Sequence, residues 1–168
     1  VELWLPEKLT YMGHHAFFDC DSFHMLNIPA SLKVVPENAF AYSESLNRLI
    51  FLGDINSIEK SAFDSCTNLS YVEFKGNVRL IKENAFLLCT SMSSVDFSKN
   101  FGTIESAAFR CNWNLARINL GVYNNTPPTG RIRKGAFANT WSLKFVEIPV
   151  SVKMEYGAFD DDVDIRKM

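Results

Sequence analysis

The chain has 168 residues, close to the usual size of one domain, with 17 Lys and Arg residues against 19 Asp and Glu residues. A net charge of −2 is too balanced for a basic nucleic-acid-binding domain or an acidic tail, so we expect no nucleic-acid ligand. A hydrophobic fraction of 47% excludes disorder as the main state. Because the sequence contains no run of about 18 apolar residues, we also expect no direct membrane insertion.

The dipeptide Ala-Phe recurs along the whole chain and marks an internal repeat. The Phe residues of these pairs are Phe17, Phe40, Phe63, Phe86, Phe109, Phe137 and Phe159. Their successive spacings are 23, 23, 23, 23, 28 and 22 residues, so half of the 14 Phe residues occupy one repeat position. Units of this length cannot bury a core alone, and they stack on one another as the coils of a solenoid.

Each repeat also carries the pattern of one short β-strand. Starting six residues after the repeat Phe, the chain reads apolar-x-x-apolar-x-apolar, as in residues 46–51, 69–74 and 143–148. The last two apolar positions alternate as one face of a strand does. We therefore expect a parallel sheet with strands about 4.8 Å apart, a rod roughly 34 Å long, and repeat Phe rings stacked from coil to coil. Around the Ala-Phe pairs, as in residues 37–40 and 83–86, we expect a short turn of helix.

Two segments carry a family resemblance, namely residues 28–32 followed by Ala39-Phe40, and residues 62–69 with the strand after them. Over essentially its whole length the chain resembles the BspA-like (Treponema-type) class of leucine-rich repeats. The resemblance implies an α/β repeat solenoid, a leucine-rich-repeat horseshoe with a concave parallel β-sheet and short helical turns or extended segments on the convex side. It also implies secreted or surface-attached proteins of anaerobic bacteria and some protists, associated with adhesion, and it implies no catalytic residues.

The repeat predicts a single solenoid over residues 1–168 with about seven repeats of 23 residues. The longest spacing, 28 residues, places a five-residue insertion within residues 121–130, which are rich in turn-forming residues. This insertion is either a contact loop that carries Tyr123 or a tolerated lengthening of a coil corner. Leu3 and Leu5 already hold the strand register, so we expect the chain to be a fragment of a longer protein.

Cysteine and histidine residues give no pattern typical of a metal or cofactor site. Cys20, Cys66 and Cys89 stand three residues after a repeat Phe, and Cys111 falls one residue short of that position. We expect buried free thiols there, because parallel side-chain directions make a bond between Cys66 and Cys89 awkward. The few His residues lie in the first two repeats without further ligands at metal-binding spacing, so we expect no metal and no cofactor.

The strand positions that flank the middle apolar residue are predicted to point away from the core. On this concave face the candidate binding residues are Trp4, Met25, Arg48, Ile50, Tyr71, Glu73, Asp96, Arg117, Phe145 and Glu147. The residues Trp4, Met25, Ile50 and Tyr71 form a predicted apolar stripe. The acidic members Glu73, Asp96 and Glu147 form a predicted row of negative charge, which the positive charge of Arg117 offsets. Aromatic and Arg side chains anchor interfaces, but strands also favour aromatic residues intrinsically, so a binding face and a plain sheet surface both remain open.

These observations predict a non-catalytic module that binds a protein ligand through the concave face, outside the cell or on its surface. A structural spacer that displays another domain of the same protein is the alternative. We expect no enzyme activity, because G-x-S-x-G, G-x-x-x-x-G-K-[ST] and G-x-G-x-x-G motifs are all missing from the sequence. The oligomeric state is left open.

Overall fold

The structure, a computed structural model, describes residues 1–120 and 129–168. Within these ranges the chain forms fourteen short β-strands and turns. In chain order the strands are β1 (Glu2–Leu3), β2 (Met25–Ile28), β3 (Val34–Val35), β4 (Arg48–Phe51), β5 (Ser57–Ile58), β6 (Tyr71–Phe74), β7 (Val78–Ile81), β8 (Ser94–Phe97), β9 (Phe101–Ile104), β10 (Arg117–Asn119), β11 (Arg131–Ile132), β12 (Phe145–Ile148), β13 (Lys153–Met154) and β14 (Asp164–Lys167).

The strands form parallel sheets that run across the coils. Sheet A has the order β1-β2-β4-β6-β8-β10, and sheet B has the order β3-β5-β7-β9-β11-β13. Strands β12 and β14 pair only with each other in the described part of the chain. Corresponding residues of successive repeats pair directly, as Leu26 with Leu49 and Leu49 with Val72. This register confirms the parallel solenoid predicted from the repeat.

The core is built around a continuous stack of the seven repeat Phe rings, which we call the ladder Phe residues. Neighbouring rings lie 4.9–5.2 Å apart between centroids and within 9° of parallel, from Phe17 to Phe159. A second stack, Phe51-Phe74-Phe97, meets the ladder edge to face, with 6.1 Å between Phe51 and Phe63. Both arrangements are favourable for aromatic quadrupoles. The predicted coil-to-coil stacking is confirmed, and the ladder continues past the 28-residue spacing.

The sequence pattern predicts one strand per repeat, whereas most repeats contain two. The second strand, in sheet B, ends at the apolar residue five positions before the ladder Phe, such as Val35, Ile58 and Ile81. Several of these strands have only two residues, so they are too short to show an alternating apolar pattern in the sequence. The solenoid therefore has a strand-lined second side rather than isolated extended segments.

The helical turns predicted around the Ala-Phe pairs are wrong, because the described residues contain no helix. In all seven repeats the residue two positions before the ladder Phe has a positive φ, for example Asn38 at 55° and Asn84 at 60°. Left-handed residues interrupt a right-handed helix. The turn's N–H groups bond to the next coil instead, as Phe40 N–H does to the Ala62 carbonyl at 2.8 Å. In the described ranges no helix is therefore long and apolar enough to cross a membrane.

In three successive repeats, the small side chain three residues after the ladder Phe is buried and donates a hydrogen bond to the preceding coil. Ser43 Oγ donates to the Phe17 carbonyl at 3.0 Å, and Cys66 Sγ donates to the Phe40 carbonyl at 3.1 Å. Cys89 makes the equivalent bond at 3.3 Å. All four cysteines are free, and Cys66 and Cys89 are buried as predicted, but the predicted burial of Cys20 is wrong because it is only half-buried, like Cys111.

Cys111 does not occupy this buried position, because Asn112 is the residue three positions after Phe109. The Asn112 amide nitrogen donates to the carbonyls of Phe86 at 2.9 Å and Phe109 at 2.7 Å. In the part of the chain that the structure describes, its Oδ1 is buried without a hydrogen-bond partner. The hydrogen-bonding role of the position is thus kept, at the cost of one unsatisfied acceptor.

The left-handed turn position gives a test of the turn geometry. Gly135 has a φ of 72°, and a Cβ there meets nothing within 4 Å, so Gly135→Ala changes only the backbone preference. We expect a loss of about 1 kcal/mol in the free energy of unfolding, measured by urea denaturation. Gly13 has equally open surroundings without a positive φ, so the control Gly13→Ala should stabilise by about 0.4–1 kcal/mol. Equal effects of the two substitutions would contradict this turn.

Candidate functional site

The outward side chains of sheet A form two straight rows because the strands pair in register. The first row is Glu2, Met25, Arg48, Tyr71, Ser94 and Arg117, and the second is Asn27, Ile50, Glu73, Asp96 and Asn119. The inward neighbours on β2 to β8, such as Leu49 and Val72, are buried, whereas Leu3 on β1 is half-buried. The structure therefore places eight of the ten candidate residues at sheet A, including Trp4, which directly follows β1.

The apolar stripe is partly exposed and includes an ordered aromatic contact. Trp4 is 77% exposed and Met25 38% exposed, while Ile50 and Tyr71 are half-buried. The Arg48 guanidinium lies 5.2 Å from the centroid of the Tyr71 ring, a cation–π geometry. Arg48 thus holds the Tyr71 ring in place on the neighbouring strand, so the side chain loses little further freedom when a partner covers it.

Two carboxylates face each other next to the stripe. Glu73 pairs in register with Asp96, and like charges directly opposite on neighbouring strands are unfavourable. Burial raises the pKa of the Asp96 carboxyl, and the Glu73 charge raises it further, whereas the hydrogen bond from Asn119 at 2.9 Å lowers it. Burial also raises the pKa of Tyr71, as do the same two carboxylates. This part of sheet A therefore attracts a cationic group.

Phe145 and Glu147 do not continue the rows of sheet A. They lie on β12, which pairs with β14 and not with β10. The Arg166 guanidinium lies 4.8 Å from the Phe145 ring centroid, and Glu147 is exposed. The predicted acidic row is therefore interrupted after Asp96, because sheet A ends at β10. Tyr123, the other predicted contact residue, lies outside the described residues.

One exposed aromatic pair is missing from the sequence-based site. Trp113 and Trp141 stack with 5.5 Å between ring centroids and 7° between planes, and they are 40% and 61% exposed. Both stand four residues after a ladder Phe, a shared register that could have revealed the pair. They lie before β10 and β12, at the corner of the coil rather than on the face of sheet A.

The described residues offer side chains for surface contact rather than a set of convergent metal ligands. Across residues 1–120 and 129–168, no three His, Cys, Asp or Glu side chains come together to hold a metal ion. The two fully buried thiols, Cys66 and Cys89, are withdrawn from the surface, and burial raises the pKa of each well above its ordinary value.

The repeat positions agree with a known family. A family model described as BspA type leucine rich repeat region matches six copies, over residues 1–90 and 33–166. The chain belongs to the BspA-type leucine-rich repeat family. The six matched copies span nearly the whole BspA-type chain, whose ladder has seven Phe positions. No curated protein sequence matches this BspA-type chain.

Solved structures similar to the BspA-type chain are also leucine-rich repeat proteins of bacteria. A leucine-rich repeat protein of T. pallidum is 20% identical with a TM-score of 0.53, over 84% of this chain and 77% of the other. A leucine-rich repeat protein of Eubacterium ventriosum is 20% identical with a TM-score of 0.56, over 88% of this chain and 45% of the other. At this identity the likeness shows the fold alone. The BspA-type chain thus spans less than half of the E. ventriosum protein.

Proposed function

We propose that this BspA-type chain is a non-catalytic protein-binding module that acts outside the cell or on its surface, with the outer face of sheet A as its contact surface. The observation that carries the proposal is the in-register alignment of partly exposed Met25, Ile50, Arg48 and Tyr71 on a paired sheet. Met, Arg and aromatic side chains are enriched at interfaces, and rigid presentation lowers the entropy cost of binding. The family resemblance, which implies surface-attached and secreted proteins, supports the location.

The neighbouring acidic pair specifies the kind of protein surface that fits. Glu73 lies on β6 together with Tyr71 of the stripe, Asp96 faces it from β8, and the pair leaves a half-buried negative charge on the sheet. A partner that places an apolar side chain over Ile50 and a Lys or Arg near Glu73 relieves the repulsion between the carboxylates. We therefore infer that the ligand presents a mixed apolar and basic surface.

Truncating the stripe tests the contact surface. We expect Ile50→Ala/Tyr71→Ala to weaken binding at least about tenfold, since a truncated aromatic anchor costs about 2 kcal/mol or more. The measurement is biolayer interferometry of the purified chain against a panel of purified host and microbial surface proteins. The matched control, Val34→Ala/Arg79→Ala, removes an exposed apolar and an exposed basic side chain from sheet B and should leave binding unchanged. Equal affinities of the two double variants, or no saturable ligand in the panel, would contradict the proposed surface.

Removal of one whole coil distinguishes this function from a structural spacer. Deleting residues 71–93 joins Ser70 to Ser94 in the same repeat register and removes Tyr71 and Glu73. A spacer tolerates the shortening, whereas a binding module loses its ligand although the shortened solenoid still folds. Ligand capture by the folded, shortened chain at unchanged affinity would favour the spacer.

A further inference from the structure

Positive charge is concentrated on the outer face of sheet B, at its C-terminal end. Arg131 on β11 pairs in register with Lys153 on β13, and both side chains are exposed. Arg133 follows Arg131 by two residues, so its side chain leaves the coil on the same side. The whole chain has a net charge of −2, so this excess of positive charge is a local feature of the surface.

A further ammonium group reaches this end of sheet B from β14. Lys167 Nζ donates to the carbonyl of Val152, the residue directly before Lys153, at 3.4 Å. Arg131, Lys153 and Lys167 therefore come from three successive turns of the chain, and neighbouring strands are about 4.8 Å apart. These three cations form a line across the coils, which we call the basic row.

Arg131 and Lys153 make no ion pair among the residues that the structure describes. The carboxylate on their strands, Glu155, is bound to Arg133 at 2.6 Å. Hydrogen bonds from Lys134 N–H and from Arg133 lower the pKa of Glu155, as do the charges of Arg133 and Arg131, so this carboxyl is already engaged. Like charges directly opposite on neighbouring strands are unfavourable, so a negative group bound between Arg131 and Lys153 relieves their repulsion.

We propose that the basic row binds a sulfated polysaccharide, whose sulfate esters lie along Arg131, Lys153 and Lys167. A guanidinium presents its N–H donors in a fixed plane, which suits the oxygen atoms of such an ester. Because the cations stand in line on an open face and not around a pocket, a chain with repeated negative groups contacts several of them at once. This site is separate from the apolar stripe of sheet A and does not depend on the proposed function of that face.

The neighbours of the basic row favour a polysaccharide over two other polyanions, a membrane surface and a nucleic acid. Glu155 stays charged two residues after Lys153, which disfavours contact with a uniformly negative membrane surface, whereas a flexible chain can follow the cations past it. Sites for single-stranded nucleic acid combine cations with aromatic side chains on which bases stack. The outward neighbours of Arg131 and Lys153 in sheet B are instead Thr103, Arg133 and Glu155.

A heparin oligosaccharide that carries a fluorescein label tests this inference by fluorescence anisotropy. We expect saturable binding to the full chain at low salt, and weaker binding as salt is added, because bound cations release counterions from a polyanion. The chemically desulfated oligosaccharide, which keeps its carboxylates, should bind at least about tenfold more weakly. No saturable binding, equal affinity for the desulfated chain, or tighter binding to phosphatidylserine vesicles or to oligothymidylate would overturn the proposal.

Two double variants with the same change in net charge locate the site. Arg131→Gln/Lys153→Gln should weaken oligosaccharide binding at least about tenfold and lower the slope of log affinity against log salt by about two, one for each lost cation. The control Lys75→Gln/Arg79→Gln removes an exposed Lys and an exposed Arg near β7, and should change the affinity less than about threefold. Equal losses in the two double variants would overturn the assignment to the basic row.

A substitution at Glu155 gives a test in the opposite direction. Glu155→Gln removes the negative charge beside the basic row and keeps an oxygen that can accept from Lys134 N–H. We expect it to bind the oligosaccharide about two- to threefold more tightly, because Arg133 is then free to contact a sulfate. Unchanged or weaker binding by this variant, with an unchanged circular dichroism spectrum, would count against the site.

Discussion

Replacing Phe63 with alanine is expected to lower the free energy of unfolding by about 3–5 kcal/mol. The Phe63 side chain is fully buried and stacks between Phe40 and Phe86, each 5.2 Å away, while Phe51 meets its edge. Its removal leaves a cavity between three coils whose spacing is fixed by main-chain bonds, so the surroundings cannot collapse into it. Urea denaturation followed by circular dichroism measures the loss.

The control for this variant is Phe145→Ala. Phe145 is 50% exposed and lies outside the ladder, so its truncation, including the loss of its contact with Arg166, should lower stability by only about 1–2 kcal/mol. Phe63→Leu keeps an apolar side chain without the ring and should recover part of the loss. A Phe63→Ala variant as stable as Phe145→Ala would show that the stacked rings do not hold the coils together.

Alkaline pH is expected to destabilise the protein through its two buried thiols. Burial raises the pKa of Cys66 and Cys89, so the folded chain keeps protons that the unfolded chain releases above about pH 8.5. Their stabilising contribution is complete below that pH and decreases as the pH rises further, by up to about 1.4 kcal/mol per pH unit for each thiol. Between pH 8.5 and 10 we expect a loss of about 1.5 kcal/mol per thiol.

The double variant Cys66→Ser/Cys89→Ser isolates this effect. Serine already occupies the same inner position at Ser43, where its hydroxyl makes the equivalent hydrogen bond. Because serine does not titrate in this range, the variant should lose less stability between pH 8.5 and 10, by about 3 kcal/mol in total. Urea denaturation at a series of pH values provides the comparison, and parallel pH dependences of the two proteins would refute the contribution of the thiols.

The solenoid and its ladder could be predicted from the sequence because they depend on side chains that recur at one spacing. The Ala-Phe pairs identify the ladder, and the strand pattern places residues such as Leu49 and Val72 inside. The turns could not be predicted in the same way. Their geometry depends on left-handed residues as different as Asn38, Tyr42, Leu88 and Ala107, and these are imposed by hydrogen bonds between coils rather than by local preference.

The candidate face was predictable as far as the sheet is continuous. Strand alternation places Arg48, Tyr71 and Glu73 outward, as the structure shows. The end of sheet A at β10 is different, because it depends on whether two coils pair across the 28-residue spacing. The spacing reveals that extra chain is present, but the end of sheet A at β10 among the described strands follows only from the three-dimensional pairing.

The uniform spacing of the ladder has a consequence for how such a chain changes length. Because rings, inner hydrogen bonds and strand register recur together, the junction between Phe40 and Phe63 is nearly the same as that between Phe63 and Phe86. A genetic crossover between two repeats therefore duplicates or removes a whole coil and leaves the packing between the newly adjacent coils unchanged. Each duplicated coil also adds a set of outward-facing residues. These can diverge in sequence while the unchanged buried residues keep the added coil folded.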